Sequence, residues 1–400
     1  MKKIIIVVLV LSMVTAATVF AQSEEVMMYD TLYRNTSTHM AQLVILQNIK
    51  EARLTGAGEF YARILHRLIA DYRLVRNATE RNAAEDQAII ISQLLGDEKY
   101  TEAAPDLWQL VDVFPAPLVK AEAMIALGRV EAKDYLPPVI QILRTTNAGP
   151  TRDVLNGERI AFGAIIALEK YQDPDGILPV FSAATGWYSS RIKNQALRSL
   201  SYIMDDPTTP MINVVKGSSF NYAEKFTALQ FIENYQAPEE DGSTRRVNVS
   251  NESKASVAVA ALAEGWRVNT SDRQAQGTII SMRKMAIAMI NKYKTTDDSV
   301  YTSLDRSYTR GDQDERFAVV AALASLGTDE AAQLLSGYLM ELNGKRQIGD
   351  IRRGDEDMVR AIISALGTTK NAIGRPALNS VLALDWTPAV KNLAREALQN

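Results

Sequence analysis

A spaced set of large apolar residues constrains the fold of this chain more than any other feature of its sequence. These residues recur at intervals of 28 to 41 positions, each at the end of a helical apolar pattern, and we call them the anchors. Alanine lies four positions before eight of the ten, which places the pair on one helix face and lets another helix approach closely. The anchors are Leu95, Leu127, Leu168, Leu200, Ile232, Leu262, Ile290, Leu326, Leu366 and Leu398.

Two further positions repeat with the anchors. A proline follows ten or eleven positions after several anchors, as expected for the first turn of a second helix, where its missing N–H has no partner to lose. These prolines are Pro105, Pro137, Pro138, Pro179, Pro210 and Pro376. A basic residue lies seven positions before five anchors, as Lys120, Lys193, Lys225, Arg283 and Lys391. The pattern predicts an all-α fold, an α-solenoid of about ten helix pairs.

The repeated segments also resemble a known family. The stretches VKAEAMIALGRVEAKDYLPPVIQIL and VRAIISALGTTKNAIGRPALNSVLAL are similar to the short bacterial HEAT repeats that also occur in phycobilisome lyases. The resemblance covers residues 83–400. It implies helix pairs stacked into a superhelix, with a concave groove lined by the first helix of each pair.

The segments before residue 83 differ from the repeat. Residues 1–21 have the pattern of a secretory signal, because two lysines precede a short apolar run and small residues, Val19 and Ala21, precede the expected cleavage point. Residues 22–82 are helical in pattern but irregular, which suits a cap whose outer face meets water. The sequence therefore predicts a signal peptide, a helical cap over 22–82 and a repeat solenoid over 83–400.

Composition restricts the compartment and the partners. The chain has no cysteine, so disulfides, thiol nucleophiles and cysteine-ligated metals are excluded, and a bacterial periplasmic protein is favoured. A net charge of −3 gives no basic field that would favour nucleic acid. After the signal segment, no stretch is apolar enough to predict a membrane span.

Two repeats are long at the same position, between a second helix and the next first helix. The additions are TTNAGPTRDVLNG at 145–157 and NGKRQIGDIRRG at 343–354, and they predict loops on one edge of the solenoid. Such loops are either tolerated surface extensions or part of a binding surface. Trp187 and Tyr188, at the predicted start of a first helix near the groove edge, are open to two interpretations as well, packing or a ligand platform. The candidate partner-binding residues are Arg152, Asp153, Trp187, Tyr188, Lys345, Arg346, Arg352 and Arg353.

Chemistry-bearing motifs are missing from the sequence. His39 and His66 are its only histidines, with no carboxylate at a metal-ligand or triad spacing beside them, and no phosphate-binding loop is present. We expect no catalytic residues, no metal and no cofactor. The function we expect is a non-enzymatic periplasmic scaffold that holds a protein or peptide partner in its groove or on its edge loops. The alternatives are a structural component of an envelope or appendage assembly, or an accessory to a lyase-like enzyme.

Overall fold

The secondary structure of this protein is helical throughout the residues that the structure describes. The computed structural model describes residues 24–150, 152–237, 248–267, 270–295 and 297–399, and these ranges contain no strand. The predicted signal peptide, residues 1–21, lies outside them. The chain divides into two units, the first ending at Met204 and the second beginning at Asp205.

The first unit has ten helices in its described residues. They are α1 (24–34), α2 (His39–Ala52), α3 (Gly58–Tyr72), α4 (Ala78–Asp97), α5 (Ala104–Val113), α6 (Pro117–Arg129), α7 (Leu136–Asn147), α8 (Val154–Tyr171), α9 (Ile177–Thr185) and α10 (Ser190–Ile203). Proline begins or nearly begins α5, α6 and α7, and the side chains of Thr38, Asn77 and Asp153 cap α2, α4 and α8.

These helices form two layers. Helices α2, α4, α6, α8 and α10 pack each on the next, and we call them the first layer of this unit. On one side of it lies a second layer, in which α3 contacts α5 and α7 contacts α9. Helices α2 and α3 take part in this stacking, and the predicted boundary between residues 82 and 83 lies inside α4.

The first layer is packed closely through small residues. Four anchors, Leu95, Leu127, Leu168 and Leu200, are fully buried on α4, α6, α8 and α10. Gly163 of α8 lies against the backbone of Ala121 of α6, so that these two helices approach at almost the minimum distance. The predicted helix pairs are therefore confirmed in this unit.

The second unit repeats the arrangement. Its helices are α11 (Thr208–Lys216), α12 (Tyr222–Glu233), α13 (Asn251–Arg267), α14 (Arg273–Tyr293), α15 (Ser299–Arg310), α16 (Gln313–Leu326), α17 (Asp329–Gln347), α18 (Asp355–Thr369), α19 (Arg375–Ala383) and α20 (Pro388–Gln399). The even-numbered helices from α12 to α20 pack in succession as the first layer, and the odd-numbered helices from α11 to α19 form the second. The predicted α-solenoid is confirmed as the fold class.

One anchor was assigned to the wrong layer. Leu262 lies on α13, which belongs to the second layer, so it does not mark a first helix and nine anchors remain for that role. The error arises because Ala258 and Leu262 repeat the spacing of a first helix while α13 has no proline at its start. Leu326 and Leu398 are only half-buried, and Leu323 is the buried residue at the end of α16.

Candidate partner-binding surface

The aromatic pair predicted as either packing or platform is used for packing. The indole nitrogen of Trp187 donates to the carbonyl of Thr146 at 2.9 Å. The Tyr188 hydroxyl donates to the Asn147 side-chain oxygen at 2.9 Å, and burial raises the pKa of this hydroxyl. Since Tyr188 is only 3% exposed, the pair fastens the turn after α9 to the end of α7.

Asn147 lies at the centre of the contact between α7 and the turn after α9, and an asparagine makes a similar contact in the second unit. Asn147 also donates to the carbonyl of Pro179 at 2.9 Å, in the first turn of α9. In the second unit, Asn343 donates to the Ala377 carbonyl at 3.3 Å and accepts from the Trp386 indole at 2.9 Å. We call each arrangement an asparagine clamp. Sequence reasoning missed both, although the asparagine and the aromatic residue lie 41 and 43 positions apart in the two copies.

The predicted edge loops are shorter than expected, because about half of the added residues lie in helices. Helix α7 runs to Asn147 and α8 begins at Val154, so only 148–153 connect them. Likewise α17 continues to Gln347, which leaves 348–354 as the connection to α18. The clamps explain the difference, since each holds the end of the lengthened helix against the next second-layer helix.

In the first unit, the two predicted loop residues have different surroundings. Arg152 is exposed. Asp153 is the N-cap of α8 and accepts from the backbone N–H of Asn156 at 3.1 Å. The carboxylate of Asp153 is thus used to begin the helix.

In the second unit, two of the four predicted basic residues are used within the fold. Lys345 pairs with Glu341 at 2.6 Å. Arg346 donates from Nε to the Asp385 carbonyl at 2.9 Å and lies 5.2 Å from the centroid of the Trp386 ring. Arg352 and Arg353 are exposed in the connection between α17 and α18.

The uncovered side of the first layer in the first unit is the larger candidate surface. The second layer covers one side of α4, α6, α8 and α10, while side chains on the opposite side remain exposed or half-exposed. Asp86 and Glu122 lie on this side of α4 and α6, and Ile166 and Arg198 lie on this side of α8 and α10. We call it the first-layer surface.

Charge is separated along this surface. Helices α8 and α10 carry five basic and two acidic side chains between them, and α10 has no acidic residue. Both carboxylates are occupied: Glu158 accepts from the backbone N–H of Ser189 at 2.6 Å, and buried Glu169 accepts from the Ser199 hydroxyl at 2.7 Å. Glu169 also pairs with Lys170 at 3.1 Å.

Three arginines and two rings dominate the basic end. Arg191 lies 5.9 Å from the Phe162 ring centroid, and Arg198 lies 5.8 Å from that of Tyr202. Arg159 donates to the Asn156 side-chain oxygen at 3.2 Å. Among the described residues, none of the three arginines forms an ion pair. We call these five residues the basic face, and sequence reasoning did not select any of them.

The second unit instead places charge inside its layers. Arg283 of α14 makes two hydrogen bonds to Glu315 of α16, at 2.7 and 2.9 Å, and lies 3.9 Å from the centroid of the Trp266 ring. Lys225 of α12 pairs with Glu264 of α13 at 2.5 Å, with both side chains 4% exposed. Two of the recurring basic residues thus serve as buried ion-pair partners.

Metal-binding groups and membrane-spanning helices are not seen in the described residues. No cluster of three His, Cys, Asp or Glu side chains in that part of the chain could hold a metal ion. His66 lies 3.2 Å from Asp106, a neighbour 40 positions away that sequence spacing could not reveal. No helix among the described residues has the length and apolar character needed to cross a bilayer.

Comparison with known proteins adds little to these observations. No family model matches the chain, and no curated protein matches it. A solved structure of human deoxyhypusine hydroxylase in complex with glycerol aligns over 86% of this chain and 96% of its own, with 16% identity and a TM-score of 0.27. At that TM-score the likeness carries no argument about this protein.

Proposed function

We propose that this protein is a non-enzymatic periplasmic scaffold that holds a protein or peptide partner on the first-layer surface. The observation that carries the proposal is the uncovered side of four helices stacked in succession, α4, α6, α8 and α10. A stack of this kind presents an extended surface whose shape depends only on contacts between neighbouring helices, and such surfaces suit long partners. The proposed location comes from the signal pattern over residues 1–21.

The packing of the layer supports this role. Close contacts such as Gly163 on Ala121 fix the spacing between α6 and α8, so the surface is ordered before a partner arrives. A preformed surface loses little conformational entropy on binding. We also propose, from the repeat pattern, that the helix pairs are related to the short bacterial HEAT repeats.

Site-specific photo-crosslinking in the native envelope tests the proposal. A benzophenone amino acid replaces Asp86 on α4 or Asn194 on α10, both exposed on the first layer. The control replaces Gln109, which is exposed on α5 in the second layer. Protein released by osmotic shock is then examined for covalent adducts by mass spectrometry.

We expect protein adducts from the positions on α4 or α10 and none from α5, because the partner lies on the first layer. Adducts of equal yield from all three positions would indicate random collisions and contradict the proposal. Failure of both first-layer positions to form any adduct would also contradict it.

A further inference from the structure

We propose that the basic face binds an acidic segment of the partner, an extended peptide in which two carboxylates lie three positions apart with an apolar residue nearby. This inference rests on the proposed function and adds the chemistry of the partner. The basic face is defined above as Arg159, Phe162, Arg191, Arg198 and Tyr202, and all five lie on α8 and α10.

The local charge is opposite to that of the chain. The whole chain has a net charge of −3, yet α8 and α10 together carry five basic and two acidic side chains. Both acidic side chains are already engaged, one at the start of α10 and one buried between the helices. The positive charge of the three arginines is therefore not neutralised on the first-layer surface, where it attracts carboxylates of a ligand.

Arginine is suited to this ligand in a way that lysine is not. Its planar guanidinium can donate two parallel hydrogen bonds to one carboxylate. The rings of Phe162 and Tyr202 lie beside Arg191 and Arg198, and such ring contacts restrict the orientation of the guanidinium planes. Half-exposed Phe162 and Ile166 offer apolar area between the arginines for the intervening residues of the peptide.

The spacing of the arginines indicates the spacing of the carboxylates. Arg191 and Arg198 lie seven residues apart on one side of α10, which corresponds to about 10 Å along a helix. A peptide in the polyproline II conformation rises about 3.1 Å per residue with about three residues per turn, so two acidic residues three positions apart lie on one side of the peptide at about that distance. The preferred motif is therefore acidic-x-x-acidic with an apolar residue nearby.

A short acidic peptide fits this surface better than a nucleic acid does. The neighbouring helices α4 and α6 present Asp86 and Glu122 on the same first-layer surface. A polyanion that continued along the surface would meet these carboxylates and be repelled. A peptide whose acidic residues are confined to one short segment avoids them.

Fluorescence anisotropy with defined probes tests the inference on the full chain. The probe is a short labelled peptide that contains Glu-x-x-Glu and one Phe, and the comparison peptide has Lys in place of each Glu. A single-stranded oligonucleotide of equal charge is a third probe. The variant carries Arg191→Glu with Arg198→Glu, and the matched control carries Arg73→Glu with Arg76→Glu, an equal charge change at exposed positions between α3 and α4.

We expect the acidic peptide to bind, with a Kd that rises with salt and increases about tenfold or more in the Arg191/Arg198 variant. The control variant should change the Kd by less than about twofold. Equal binding of the acidic and basic peptides, equal loss in both variants, or tighter binding of the oligonucleotide would overturn the inference.

The crosslinking at Asn194 separates this inference from the proposed function. A captured partner whose crosslinked segment is neutral or basic would support the proposed scaffold function but overturn the proposal that the ligand is acidic. A captured segment with the acidic-x-x-acidic spacing, lost in the Arg191/Arg198 variant, supports both.

Discussion

Gly163 illustrates how much the first layer depends on single small residues. A Cβ atom at this position would lie 2.7 Å from the Cβ of Ala121 and 2.8 Å from its carbonyl oxygen. The obstructing atoms belong to or adjoin the backbone of α6, so relief requires movement of a whole helix. The residue thus determines the distance between α6 and α8.

We predict that Gly163→Ala lowers the free energy of unfolding by about 1–3 kcal/mol, because steric overlap outweighs the better helix propensity of alanine. Gly337→Ala is the matched control, since no heavy atom lies within 4 Å of a Cβ at this position in α17. The control should raise stability by about 0.5–1 kcal/mol. Urea unfolding measures both, and a Gly163→Ala variant as stable as the parent would refute the close approach.

Single residues were also the level at which the sequence was most informative. Leu127 and Leu168 are fully buried as the repeat predicted, because an i, i+4 pattern of alanine and leucine determines which face a helix buries. Leu262 follows the same pattern on a second-layer helix. The pattern identifies a buried helix face but does not say which layer the helix joins.

The asparagine clamps act between elements. Asn343 is 2% exposed and connects the end of α17, the first turn of α19 and the turn before α20. One side chain donates and accepts in a place where water has no access, so its loss leaves a buried carbonyl and a buried indole N–H without this partner.

We predict that Asn343→Ala lowers the free energy of unfolding by about 2–3 kcal/mol, measured by urea unfolding. Asn392→Ala on α20 is the control, because this asparagine is exposed and should change stability by less than about 0.5 kcal/mol. Similar effects of the two substitutions would show that the clamp does not hold these elements together.

Helix pairs were predictable as elements, whereas helix lengths were not. The prolines near the starts of α5, α7 and α19 mark second helices as expected. The stretch 145–157 lacks a helical apolar pattern, yet α7 extends into it because Asn147 bonds to α9. Tertiary hydrogen bonds of this kind depend on the neighbouring repeat and leave no local periodicity.

At the scale of the molecule, first-layer helices pack against the helices before and after them in the same layer. In the first unit α6 contacts α4 and α8, and α2 contacts α4. A local defect should therefore weaken with distance along the layer, as in a one-dimensional array.

We predict that Leu127→Asp, which places an unpaired charge at a fully buried position of α6, costs several kcal/mol. Amide hydrogen exchange should rise most in α4, α6 and α8 and least in α2. Arg152→Asp, at an exposed position, should leave exchange unchanged. A uniform rise over all helices of the first unit would contradict the neighbour-only coupling.

The candidate surface is formed by residues from several helices of the first unit. The sequence alone did not reveal it because these residues are far apart along the chain. Arg159 and Arg191 lie 32 residues apart and share a surface only because α8 packs on α10. Sequence reasoning instead selected Trp187 and Tyr188, which are conspicuous locally and are used in packing.

The buried ion pair between Arg283 and Glu315 limits how this chain could change by gaining or losing repeats. The two residues lie 32 positions apart on successive first-layer helices, so each completes its charge in the adjoining repeat. Duplication or deletion of one repeat by recombination between them would leave a buried charge without its counterion, at a cost of about 3–5 kcal/mol. The contact between α6 and α8, where Gly163 meets Ala121, involves no charge and imposes no such restriction. Insertion of new repeats should therefore be tolerated better between α6 and α8 than between α14 and α16.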